Sequence, residues 1–259
     1  MEEIRYPSMD LGGKTAIVTG AGQGLGRWLA LGLAHAGADL VIAEINARAG
    51  EAAAEDIRKM GRRALSIETD VRRVDSIQVM VSRVRREWGK IDILVNNAGV
   101  NIRKKAEEVL PEDFDAVASV NIRGAYFCAQ AVGKEMIQRG EGKIINIASA
   151  AGLLVREGIP NSVYSVTKAG IIMLTKSLAA EWSPYHINVN AVAPGYFATP
   201  LAAPRLEDPK WRQAIMDSTP LKRIGQAEDI IGPVVFLASD AAAFITGVCI
   251  SVDGGRNVL

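Results

Sequence analysis

Cysteine is nearly missing from this chain of 259 residues: there are two, Cys128 and Cys249, each inside an apolar stretch. That excludes a disulfide scaffold and a multi-cysteine metal centre, and it suits a reducing compartment. Histidine is equally scarce. His35 and His186 have no second His, Cys or acid at ligand spacing, so no metal site is expected. A charge imbalance is lacking too: 30 Lys and Arg against 29 Asp and Glu leave +1. No global field therefore favours nucleic acid or an anionic membrane. No apolar run reaches the ~18 residues of a membrane span. The opening MEEIRYPSMD has no basic segment followed by an apolar one, so no secretory signal is expected. A soluble, cytoplasmic protein acting on a small molecule is the expectation. What is plentiful is apolar side chain. Hydrophobic residues are 49% and charged ones 23%, which excludes disorder and suffices for one large core.

Short β-branched runs recur: KTAIVT (14–19), DLVIAE (39–44), ALSIET (64–69), IDILV (91–95), KIINIA (143–148), INVNAV (187–192) and VCISV (248–252). They are apolar at successive positions, as strands covered on both faces are. Helical patterns lie between them. Ile77, Met80, Val81, Val84 and Trp88 form one stripe, with Arg83, Arg85, Arg86 and Glu87 off it and Gly89 as the stop. Further helices are expected over 47–60, from Pro111 to near Gly140, and over 163–182. This alternation predicts an α/β fold: one doubly wound sheet of about seven parallel strands with helices on both faces. A closed (β/α)₈ barrel would need an eighth strand, and 200–240 reads as loop and helix. Residues 1–259 are expected to form a single domain.

The first strand runs directly into a turn containing Gly20, Gly24 and Gly26. Such a turn lets backbone approach a pyrophosphate at a helix N-terminus. Alone it is as consistent with a tight loop that binds nothing. The second strand adds information, because it ends in Glu44, where an acid accepts hydrogen bonds from an adenosine ribose. A carboxylate there repels a 2′-phosphate, which favours NAD over NADP, and Gln23 in the turn is neutral. Arg48 points the other way, since it could reach a 2′-phosphate.

Beyond this turn, NNAG (96–99), Ser149, YSVTK (164–168) and PG (194–195) follow TGAGQGLG (19–26) in order. Together these motifs resemble those of the short-chain dehydrogenase/reductase family from about residue 11 to 255. The resemblance implies a Rossmann-type sheet, a nicotinamide cofactor, and a catalytic set of Asn121, Ser149, Tyr164 and Lys168. Tyr164 and Lys168 are i, i+4, hence on one helix face. A phenol with a pKa near ~10 must be lowered to act as a base, and a nearby ammonium lowers it. Ser149 lies just past a strand end and can donate to a developing oxyanion. By resemblance, Asn121 positions a water linking Lys168 to solvent. The implied cofactor contacts are Gly20, Gln23, Gly24, Leu25, Gly26, Glu44, Asp70, Val71, Asn97, Ala98, Gly99, Tyr164, Lys168, Pro194, Gly195 and Thr199. Asp70 and Val71 would meet the adenine, and Thr199 the carboxamide or phosphates. A homotetramer built on the 112–139 and 163–182 helices and the last strand is implied as well.

The substrate is the less legible part. Tyr164 follows Ser149 at a spacing longer than is usual in the family, and the extra length around Leu154–Glu157 is expected to bulge over the substrate. Arg103, with Lys104 and Lys105, follows NNAG directly, and Arg156 sits in the lengthened loop. These are ordinary solvated loop charges or, alternatively, grips on a carboxylate. The stretches NNAGVNIRKKAEEVLPEDF and NAVAPGYFATPL resemble the gluconate 5-dehydrogenase and 2-deoxygluconate 3-dehydrogenase branch, which oxidises secondary hydroxyls of sugar acids. Segment 196–227, carrying Trp211, would be the substrate lid. Two other functions fit the scaffold: an acyl-carrier-protein ketoreductase, which normally takes NADPH, and a non-catalytic NAD-binding protein. Glu44 counts against the first, and the presence of both Tyr164 and Lys168 against the second.

Overall fold

The seven β-branched runs all become strands. A computed structural model describes residues 7–155, 157–199 and 206–258. The strands are β1 (Thr15–Thr19), β2 (Asp39–Glu44), β3 (Ala64–Glu68), β4 (Ile93–Asn96), β5 (Gly142–Ile147), β6 (Ile187–Pro194) and β7 (Cys249–Val252). They form one sheet in the order β3-β2-β1-β4-β5-β6-β7, with every pairing parallel. The α/β, Rossmann-type fold is therefore as expected. The order reverses direction between β1 and β4, and parallel sheets of this kind bind ligands outside the carboxyl ends at such a switch point.

Strand residues alternate between two cores because side chains alternate across a strand. Ala16, Val18, Leu40, Ile42, Ile93 and Val95 pack under α1 (Gly24–His35), α2 (Ala47–Lys59) and a late helix, Ala227–Ala238. Their neighbours Ile17, Val41, Leu94 and Ile144 pack under α3 (Val74–Trp88) and two longer helices that follow β4 and β5. Ile77, Met80, Val81 and Val84 of the α3 stripe are all buried, and Gly89 ends the helix at φ +79. Cys128 belongs to this second core, where burial pushes its thiol up to about 12. It is a packing residue.

The span expected as a single helix, 112–139, is a helical run with an interruption. α4 (Pro111–Ala118) passes through a π turn, Ser119–Gly124, into α5 (Ala125–Arg139). A π turn has no residue-type signature of its own, so the sequence did not show it. Gly124 in this turn lies against Val71; a Cβ there would come 2.9 Å from Val71 Cγ2. Among the described residues the remaining α-helices are α6 (Ser162–Trp182), α7 (Pro209–Asp217) and α8 (Ala227–Ala238). None of the described helices is long and apolar enough to cross a membrane. Among the described residues no group of three His, Cys, Asp or Glu could hold a metal ion. His186 adopts φ +56 as the cap of a short turn after α6.

Candidate active site

Two strand ends build the site at the switch point. Thr19 closes β1, and its Oγ1 accepts hydrogen bonds from the N–H groups of Asn97 (3.0 Å) and Ala98 (3.1 Å) beyond β4. Asn97 Nδ2 in turn donates to the carbonyls of Thr19 (2.9 Å) and Gly20 (3.1 Å). The turn has no room for side chains at Gly20, Gly22 or Gly26; a Cβ on Gly20 would lie 2.9 Å from Ala98 Cα. A Cβ on Gly26 would lie 2.2 Å from Gly20 O, and one on Gly22 would lie 2.9 Å from Glu44 Cγ. Gly20 and Gly24 have φ of +64 and +57, where glycine alone is unstrained. At Gly24 the space in front is open, the nearest atom to a Cβ being Thr199 Cβ at 3.8 Å.

α1 begins at this opening. Gln23 is extended and supplies no side-chain cap, and the first turn has no acidic residue. Its orphan N–H groups and positive dipole end thus face the gap between the glycine turn and Thr199, which suits a pyrophosphate. The residues present fit a dinucleotide. Leu25 packs its side chain against the core below the turn.

The reactive side chains converge on the same edge. Ser149 follows β5, and its hydroxyl hydrogen-bonds the Tyr164 phenol on α6. Burial raises the pKa of Tyr164, and the Ser149 bond opposes that rise. Lys168, one turn on, has its Nζ 5.6 Å from the Tyr164 ring centroid and donates to Ile147 O at 2.8 Å. Desolvation lowers its ammonium to about 8, so it still carries its proton at neutral pH. Asn121 sits in the π turn. Its Oδ1 accepts from Val100 N–H (2.8 Å), and its Nδ2 donates to Val100 O and Thr167 Oγ1 (both 3.0 Å). A Cβ on Gly99 would stand 3.4 Å from Asn121 Oδ1 and 3.5 Å from Lys168 Nζ. Gly99, Asn121 and Lys168 therefore meet at one point.

With this geometry, similarity to known proteins becomes informative. A family profile described as "Enoyl-(Acyl carrier protein) reductase" matches residues 20–257. The chain is 43% identical over 249 residues to the 2-dehydro-3-deoxy-D-gluconate 5-dehydrogenase of Escherichia coli K12, covering 96% of this chain and 97% of the relative. It is 39% identical to the gluconate 5-dehydrogenase of Gluconobacter oxydans 621H, with 98% and 99% covered. The chain belongs to the short-chain dehydrogenase/reductase family. Among the family's solved structures, gluconate 5-dehydrogenase from Burkholderia cenocepacia J2315, in complex with NADP and tartrate, superposes with a TM-score of 0.93. The two are 38% identical, and 97% of this chain and 98% of that one are covered.

Within the family frame, the other expected residues fall as follows. Glu44 is buried at the end of β2, and both its carboxylate oxygens are engaged, by Gly22 N–H and Asn46 N–H (each 3.0 Å). Arg48 is exposed and makes no ion pair among the described residues. Asp70 is held by Arg72, whose guanidinium lowers its carboxyl pKa, and Val71 is buried beside it. Pro194 ends β6, and Gly195 lies against Asp253, 2.8 Å from its Cα to a would-be Cβ. Of the basic run after NNAG, Lys104 pairs with Asp113 (2.6 Å) and Lys105 is exposed. Arg103 is half-buried with no ion pair among the described residues. Arg156 lies outside the described residues. The loop it belongs to starts with a short turn, Ala150–Gly152, seated on α6; a Cβ on Gly152 would be 2.7 Å from the Lys168 carbonyl carbon.

Sequence reasoning passed over two threonines. Thr19 ties the glycine turn to β4. Thr167 accepts from Asn121 and donates to Tyr164 O (2.8 Å), joining the π turn to the Tyr164 helix. A polar residue ending an apolar strand, and another inside the Tyr-x-x-x-Lys motif, were the available signals.

Proposed function

We propose that the chain is an NAD-preferring dehydrogenase interconverting a secondary alcohol and a ketone on a gluconate-like sugar acid, with Tyr164 as general acid and base. The observation that carries this reading is the Ser149–Tyr164–Lys168 cluster at the mouth of the glycine turn. A bound nicotinamide would donate or accept the hydride. Ser149 donates a hydrogen bond to the substrate oxygen, and Tyr164 delivers or takes the proton on it. Because burial raises the phenol, Tyr164 is protonated at neutral pH and set to donate, the ketone-reducing direction. The reverse direction needs a phenolate. Lys168, whose Nζ stands 5.6 Å from the ring centroid, favours it as a nearby positive charge. Asn121 accepts from Val100 N–H and donates to Val100 O and Thr167 Oγ1, which leaves Oδ1 one acceptor site for a water that would serve Lys168 as a proton relay.

The NAD preference rests on Glu44, whose carboxylate is fixed beside the glycine turn where a 2′-phosphate would meet it. The NADP in the Burkholderia relative and the exposed Arg48 argue the other way, which makes the ratio worth measuring. The acid substrate rests on the sugar-acid names of the relatives, on the tartrate of that same structure, and on Arg103. Segment 196–227 is read as the substrate cover; its residues 200–205 lie outside those described. Exposed Phe114, Tyr126, Val166 and Met173 on α4, α5 and α6 support self-association through these helices, which the proposed homotetramer uses. Light scattering checks the assembly. The test of function is a panel of sugar acids, their keto forms and neutral polyols with each cofactor, followed at the nicotinamide absorbance band. A tenfold kcat/KM advantage for NADP(H) overturns the cofactor reading, and turnover of neutral compounds only overturns the substrate reading.

A further inference from the structure

Arginine is rarely buried, yet Arg256, in the turn after β7, is 3% exposed. Its Nη1 donates to Ile215 O (3.3 Å), Ser218 Oγ (2.9 Å) and Thr219 Oγ1 (3.2 Å). All three acceptors lie at the C-terminal end of α7, where helix carbonyls lack partners and the dipole end is negative. The guanidinium carbon also stands 4.5 Å from the centroid of the Tyr196 ring, and Tyr196 meets Trp211 edge-on at 5.2 Å and 85°. Trp211 belongs to the first turn of α7. One buried cation thus reaches both ends of that helix, directly at one and through a tyrosine at the other.

Among the described residues α7 buries a single side chain, Ile215. A cavity of about 380 Å³ lies between Phe197, Thr219 and Leu221 on one side and Ser251–Gly255 on the other. An isolated helix of this length is marginal in water, so its position depends on these ties. Tyr196 directly follows Gly195 at the end of β6, and Thr199 beyond it reaches the glycine turn. The tie therefore ends beside the site.

We propose that Arg256 is a positioning residue: through Tyr196 and the C-terminal end of α7 it holds the substrate-covering helix in register with the active site. This rests on reading 196–227 as the cover. Lysine cannot replace it, because an ammonium lacks the planar face that stacks on Tyr196 and the fork that spans separate acceptors.

The experiment compares wild type, Arg256→Lys and Tyr196→Leu, each also in a Trp211→Phe background that removes the Trp211 contribution to emission. Both single variants are expected to shift the Trp211 emission to the red and to raise KM for gluconate at least tenfold. kcat should stay within threefold and the NADH Kd within twofold. Tyr196→Leu cuts the tie from the other side, so the proposal stays testable if Arg256→Lys folds poorly. An unchanged Trp211 emission, or a KM within twofold of wild type, overturns it. A parallel fall in kcat and NADH affinity also overturns it, since that marks general support of the fold. If wild type turns over only neutral compounds of the panel, the sugar-acid reading fails by itself. The emission arm still decides the role of Arg256, and KM is then measured on whichever alcohol of the panel reacts.

Discussion

Replacing Lys168 by methionine tests the site through stability as well as turnover. Lys168 is 4% exposed, and burial brings its pKa from the ordinary 10.5 to about 8. At ~1.4 kcal/mol per pH unit, keeping that ammonium charged at pH 7 costs the folded state about 3 kcal/mol. Methionine is similar in length and apolar, and removes this cost. It also removes the donor 2.8 Å from Ile147 O, a loss of about 1–3 kcal/mol. The balance is a variant about 0–2 kcal/mol more stable than wild type at pH 7, while kcat falls at least a hundredfold. The pH dependence has a definite sign. Between about 8 and 10.5 the unfolded chain holds the Lys168 proton and the folded chain does not, so wild-type stability rises with pH across that window. The methionine variant lacks this rise, and its advantage shrinks and then reverses. Urea unfolding of both proteins at pH 7 and about 9.5 measures the effect. A variant more than about 1 kcal/mol less stable at pH 7, or a difference that does not move with pH, would refute the argument.

Tyr164→Phe should lower kcat by ~10²–10⁴ and leave the NADH Kd unchanged, since only the proton carrier is lost; more than a tenth of wild-type kcat remaining would sink the assignment. Glu44→Ala removes the acceptor of two backbone N–H groups, so it should weaken both cofactors and also reduce the NAD preference; titrations showing a pure change of preference would mean that Glu44 does not brace the turn. Arg103→Ala should raise KM for sugar acids roughly ten- to hundredfold, the worth of a charge-assisted hydrogen bond of ~1.5–3 kcal/mol, and spare neutral alcohols. Equal losses on both substrate types would mark a structural residue.

The sheet was legible because local chemistry and topology agree. Seven apolar runs separated by amphipathic stripes leave few arrangements once crossovers are right-handed, and both cores follow from strand alternation. The π turn at Ser119–Gly124 escaped because it is set by backbone hydrogen bonding and carries no residue-type signature. Its presence changes the reading of Asn121. An asparagine expected to position a water for Lys168 also bonds Val100 and Thr167 through its amide, and so ties the segment after β4 to α6.

The same distinction sorts the site. Gly20, Gly24 and Gly26, and the pair Tyr164 and Lys168, are readable because a turn or one helix face sets their geometry within a few residues. Bonds that close over long separations left no local trace. Thr19 to Asn97 spans 78 positions, Asn121 to Thr167 spans 46, and Arg256 to Ile215 spans 41. Each of these fastens a legible residue in place. Glu44 belongs to both groups. Its position after Gly26 suggests a ribose acceptor, and its bonds to Gly22 and Asn46 make it part of the glycine turn. On the proposed reading, cofactor choice and the shape of the turn share one carboxylate, so a substitution aimed at the first must also disturb the second. If the chain prefers NAD as proposed, switching it to NADP needs an uncharged side chain that still accepts from Gly22 N–H; Glu44→Gln keeps that acceptor and gives up the one for Asn46 N–H, where Glu44→Ala gives up both.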